Sequence, residues 1–127
     1  MTNYSLLIVE DEDGIRELLI DYLSGLDFKV FAAGSAKEAL EIVTAHRDEI
    51  HLILSDNMMP GGLSGTEMLA EVRKMGITIP AMLFSAVMPK NIAEIQKDLL
   101  ILRLVYKPVE LDQLHQEINL ALGIAAP

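Results

Sequence analysis

Hydrophobic periodicity changes back and forth along this chain. Short continuous apolar runs alternate with longer stretches whose apolar residues recur at helical spacing. Such alternation marks a parallel sheet covered on both faces, because each strand must be oily on two sides and each connecting segment on one. The runs Ser5 to Val9, Phe28 to Ala32, His51 to Ser55, Ile79 to Phe84 and Leu102 to Tyr106 read as five strands. Four are oily enough to be central, and Phe28 to Ala32, carrying Lys29, is the candidate edge. Between them, Ile15, Leu18, Leu19, Tyr22 and Leu23 share one helical face, as do Ala36, Ala39, Leu40 and Val43. Ser35 with Glu38, and Ser64 with Glu67, form S-x-x-E capping boxes that start helices after the second and third strands. Ile92, Ile95 and Leu99 mark a shorter fourth helix, and Leu111, Leu114, Ile118 and Ala121 a fifth after Pro108.

A chain of 127 residues holds one such unit, so a single domain over residues 1–127 is expected, with a frayed tail from Gly123 to Pro127. Its 10 basic and 19 acidic side chains leave a net charge of -9, which repels nucleic acid and anionic membranes and favours proteins or cations as partners. The chain contains no cysteine, which excludes disulfides, thiolate metal sites and a cysteine nucleophile. Met1 to Ser5 is polar, unlike a signal peptide, and the run Leu99 to Tyr106 contains Arg103 and is too short to span a bilayer. A soluble, cytoplasmic protein is the expectation, and Met1 just ahead of the first strand fits a natural start.

Nearly obligatory right-handed crossovers force a five-stranded unit covered on both faces to reverse its winding, and one common solution is strand order 2-1-3-4-5. Ligands then bind beyond the carboxyl ends of strands one and three. Strand one ends at Glu10 and Asp11, strand three at Asp56, strand four at Ser85 and strand five at Lys107. Three packed carboxylates repel one another unless they hold protons or bind a cation, and an all-oxygen ligand set suits Mg²⁺. Lys107 and the Ser85 hydroxyl add donors for an anion bridging to the metal, which a phosphoryl group fits best. A carboxylate beside a divalent cation can attack phosphorus and become an acyl phosphate.

From about Tyr4 to Leu122 the sequence resembles the receiver domain of two-component response regulators, of the chemotaxis-regulator type. Four motifs carry the resemblance in the family's order: "LLIVEDED", "LILSDNMMPG", "MLFSA" and "YKP". It implies a flavodoxin-like (βα)5 fold, α/β and doubly wound, with a parallel sheet in the order given above and helices on both faces. It further implies that Asp56 accepts a phosphoryl group from a phosphohistidine on a sensor histidine kinase or phosphotransfer protein. Asp11 would bind Mg²⁺ directly, Glu10 largely through water, and Asp56 and the Met58 backbone carbonyl would complete the protein ligands. Lys107 would contact the acyl phosphate, and Ser85 would turn inward to it, switching the surface of helix four, strand five and helix five. A downstream protein target or output domain would read that surface, through which a homodimer could also form. No direct nucleic-acid or membrane contact is expected, and no enzymatic turnover beyond self-phosphorylation and slow self-dephosphorylation.

Departures from the family pattern accompany the matches. Glu10 stands where many members carry Asp, the loop "GGLSG" is one residue longer than usual, and Leu104 occupies the place of a switching aromatic, with Tyr106 beside Lys107. The segment "DLLILRLVYKP" lacks the glycine-containing turn common ahead of strand five. Two other readings keep the fold: a phosphorylation-independent binding module, or a Mg²⁺-dependent phosphohydrolase, which would want an acid where Met58 stands. The receiver could also be excised from a larger regulator or hybrid kinase. His46, His51 and His115 lack metal or triad spacing, and Met58 and Met59 read as packing residues.

Overall fold

A computed structural model describes residues 3–124. The chain runs β1 (Ser5–Val9), α1 (Asp13–Ser24), β2 (Lys29–Ala33), α2 (Ala36–His46), β3 (Leu52–Asp56), α3 (Gly65–Lys74), β4 (Ala81–Ser85), α4 (Ile92–Ile95), β5 (Ile101–Tyr106) and α5 (Leu111–Leu122). The five strands form one parallel sheet in the expected order, β2-β1-β3-β4-β5.

Strand alternation divides the core in two. Leu7, Val9, Ile53, Ala81 and Leu83 face α2 and α3, packing on Ala39, Val43, Met68, Leu69 and Val72. Leu6, Ile8, Leu52, Leu54, Met82 and Phe84 face α1 and α5, packing on Leu19, Leu23, Leu114 and Ile118. Burial on both sides is why β1, β3 and β4 read as unbroken apolar runs rather than alternating ones.

Several element-level expectations need correction. Oiliness alone put β5 among the central strands, but, as the expected strand order requires, β5 is the second edge, and it leaves Leu102 47% and Tyr106 58% exposed. Its oiliness comes from cover on its two faces, and edge position is decided by topology. Between Ala81 and Met82 the pairing register jumps from Ile101 to Arg103, so Leu102 is an unpaired bulge residue. Helix α4 is a single turn, and the helical spacing that reached Leu99 continues only as hydrogen-bonded turns. The Ser64 and Glu67 capping box is complete, whereas Ser35 caps Glu38 while the Glu38 carboxylate accepts from the Gly34 N–H instead. At the carboxyl end, Gly123 adopts φ 73 and the Ile124 N–H donates to the Asn119 carbonyl, a closed helix terminus. The remainder of the expected frayed tail, 125–127, lies outside the described residues.

Candidate functional site

Strand order brings the ends of β1 and β3 side by side, since Val9 pairs with Ser55. Glu10 and Asp56 therefore emerge as neighbours, with Asp11 at the more open side. The three carboxylates each offer an oxygen within 4.8 Å of the others. Lys107 arrives from the end of β5 and bridges two of them: its Nζ donates to Glu10 Oε1 and Asp56 Oδ2, at 2.9 Å each. The same ammonium lies 4.9 Å from the centre of the Phe84 ring. The Lys107–Pro108 peptide is cis.

Burial and charge act in opposite directions here. Glu10 is 1% exposed. Burial raises its carboxyl above the ordinary 4.5, and the hydrogen bonds from Lys107 and the Glu12 N–H offset only part of that. Burial alone would lower Lys107, but the hydrogen bonds to Glu10 and Asp56, together with the negative charge of those two groups, outweigh it and raise the ammonium above 10.5. Three carboxylates facing one ammonium leave an excess of negative charge on hard oxygen atoms, a donor set that fits a divalent cation.

The surrounding residues fix these groups, and sequence reasoning missed most of them. The Met58 N–H donates to Asp56 Oδ1 at 3.1 Å. Asn57, buried, accepts from the Thr66 N–H and hydroxyl through Oδ1, tying the end of β3 to the start of α3. Gly65 allows that approach, because a Cβ there would collide with the Asp56 carbonyl oxygen. Arg16 reaches back from α1 to donate to the Glu10 carbonyl at 2.9 Å and to Asp13 at 2.7 Å. The only sequence hint for Gly65 was its place just after the Ser64 cap. Arg16 offered none.

Ser85 lies buried at the end of β4, in line with the acids, yet its hydroxyl donates to the Val87 carbonyl at 3.0 Å rather than to Asp56. Leu104 packs partly buried against the α2 and α3 side of the core, alongside Met88, Ile92 and Ile95. Tyr106 points outward. Met59 is buried as expected, but Met58 is 62% exposed and plugs no gap. The histidines serve structure: His51 Nδ1 accepts from the Ser5 N–H, His46 pairs with Glu49, and His115 contacts Asn119.

The family profile described as response regulator receiver domain matches residues 6–119. The chain belongs to this family. This receiver domain is 30% identical over 119 residues to sporulation initiation phosphotransferase F of Bacillus subtilis, spanning 94% of both chains. It is 31% identical over 124 residues to the transcriptional regulatory protein GlrR of Escherichia coli, covering 96% of this chain but 27% of that protein. A solved receiver domain from Clostridium thermocellum superimposes with a TM-score of 0.83 at 25% identity, with 94% of each chain covered. A chemotaxis protein of Vibrio cholerae shares the fold, with a TM-score of 0.84 at 22% identity over 95% of this chain and all of that one. The protein is thus a receiver domain of two-component response regulators. No helix among the described residues is long and apolar enough to cross a membrane.

Proposed function

We propose that Asp56 is the phosphoacceptor of a single receiver domain spanning residues 1–127. The observation that carries this reading is the bridging ammonium: Lys107 Nζ holds Asp56 Oδ2 and Glu10 Oε1 together at the switch point of the sheet. A phosphohistidine on a sensor histidine kinase or phosphotransfer protein supplies the phosphoryl group. The nitrogen–phosphorus bond breaks, an Asp56 oxygen–phosphorus bond forms, and the histidine leaves with the nitrogen lone pair. Glu10, Asp11, Asp56 and the Met58 carbonyl would hold Mg²⁺, which when bound neutralises charge on the transferring group.

The chain's own side chains do the remaining work. Lys107 shields the incoming anion from Glu10, and the Met58 N–H steadies Asp56. Ser85 would exchange its bond to the Val87 carbonyl for one to the acyl phosphate, biasing the surface of α4, β5 and α5 towards a downstream protein target, an output domain or a second copy of the chain. Beside Lys107 an apolar cleft of about 410 Å³, lined by Ile15, Leu18, Phe84, Pro108, Val109 and Leu111, suits a helix of the phosphodonor protein. Exposed Met58 and Val87 give an attacking water no general base, so self-dephosphorylation is slow and turnover of phosphate esters is absent.

Intact mass after incubation with Mg²⁺ and acetyl phosphate tests the reading. Gain of one phosphoryl group by the wild type and none by Asp56→Asn supports it. Equal behaviour of the two proteins overturns it.

A further inference from the structure

Arg73, on the last turn of α3, has a half-buried guanidinium with no carboxylate partner among the described residues. Its Nε and Nη2 donate to the Leu99 carbonyl at 2.9 and 2.7 Å, and Nη1 donates to the Ile77 carbonyl at 3.0 Å. Burial lowers its pKa below the ordinary guanidinium range. A guanidinium placed this way spends its donors on backbone, and the backbone it grips is unusual. The next residue, Leu100, has φ 56, the left-handed conformation that a side chain with a branched body rarely adopts.

This turn closes the segment between α4 and β5. The Leu100 N–H donates to the Lys97 carbonyl, the Ile101 N–H to the Gln96 carbonyl, and the Leu100 carbonyl accepts from the Ala81 N–H. Gln96 adds a side-chain bond to the Ile101 carbonyl. A glycine would adopt this geometry freely, but the chain has leucine at both 99 and 100. One helical turn of α4 is too short to enforce the strained conformation, because a helix this short is unstable alone. A strained residue persists only where its surroundings over-determine it, and Arg73 supplies two of the bonds that do so, both to the Leu99 carbonyl, while its third, to Ile77, anchors the guanidinium beyond the turn.

We infer that Arg73 is a strap that holds the strained Leu100 turn shut, so that residues 96–101 open as a local unit at a frequency Arg73 sets. The device goes beyond phosphorylation chemistry, since it needs neither Asp56 nor a metal. It places this opening at the entry to β5, next to the Leu102 bulge.

Native-state amide hydrogen exchange of the full chain, without Mg²⁺ or phosphodonor, tests the strap. Four proteins are compared: wild type, Arg73→Lys, Leu100→Gly and the double variant. Lysine keeps the charge and aliphatic stem but cannot span the two carbonyls. The expected result for Arg73→Lys is exchange at the Leu100 and Ile101 amides faster by roughly tenfold, against less than about threefold at Leu7 and Ile53 in the central strands. In the Leu100→Gly background, where the strain is gone, the same substitution should change Leu100-turn exchange by less than about threefold. A rise shared equally by the central strands would overturn the inference, as would an equal rise in both backgrounds. If lysine alone leaves the turn protected, Arg73→Gln decides: no local rise there rejects the strap, and a local rise confined to residues 96–101 upholds it.

Discussion

Lys107 carries one positive charge between two carboxylates, and Glu10 is the member least able to reach water. Removing the ammonium strands a buried acid, so Lys107→Ala should cost about 1–3 kcal/mol at neutral pH, read from the urea midpoint at unchanged slope. Adding Glu10→Gln to that variant should recover most of the loss, since the amide needs no counter-charge; independent, additive losses would contradict the pairing. The raised carboxyl of Glu10 also sets a pH dependence. A group raised in the native state contributes stability fully below its unfolded value, here 4.5, and loses it as pH climbs through the raised native value. Without divalent cation, the stability difference between wild type and Glu10→Gln should therefore be flat below 4.5 and turn against the wild type above it. A urea series across pH would reveal a flat difference throughout if burial of Glu10 had no such effect. Only the presence of these residues at strand ends was legible beforehand. That Lys107 bridges Glu10 and Asp56, and that Ser85 is turned to Val87, depends on rotamers chosen by neighbours distant in sequence.

Helix α3 shows how a local signal positions a distant group. The reciprocal bonds of Ser64 and Glu67 were readable as S-x-x-E, because a capping box lies within four residues. Ser64→Ala should cost about 1 kcal/mol of unfolding free energy, measured by chemical denaturation. Gly65→Ala should cost more, about 1–3 kcal/mol, since the new methyl must displace the Asp56 carbonyl, and it should also lower the rate of phosphorylation by acetyl phosphate. An alanine variant as stable and as fast as wild type would show that β3 and α3 need no close approach. The pattern at Ser35 looked the same in sequence, yet Glu38 caps Gly34, because the entry into α2 turns Gly34 towards that carboxylate. Helix α4 is shorter than its apolar spacing predicts. Ile92, Ile95 and Leu99 have the right spacing, but the chain must close onto β5 at Leu100, and that closure ends regular helix after one turn.

At the scale of the whole molecule, charge and the sheet dominate. The acids gathered at one end should make metal binding stabilising: a cation at one hundred times its dissociation constant adds about 2.7 kcal/mol, growing with the logarithm of concentration. Thermal unfolding against Mg²⁺ concentration should show this rise in wild type and lose most of it in Asp11→Asn, whereas equal rises in both would remove Asp11 from the site. The sequence by itself determined the number, order and type of elements, the parallel covered sheet, and the gathering of Glu10, Asp11, Asp56, Ser85 and Lys107 at strand ends. Those features follow from local periodicity and from the near-fixed hand of crossovers, which leave few topologies open. Tertiary structure alone decided that β5 carries a bulge at Leu102, that Gly65 meets the Asp56 carbonyl, that Leu104 packs where Tyr106 projects, and that Arg73 reaches across to Leu99. Each of these depends on contacts between residues far apart in the chain, where burial and hydrogen-bond competition outweigh any preference a short stretch can express.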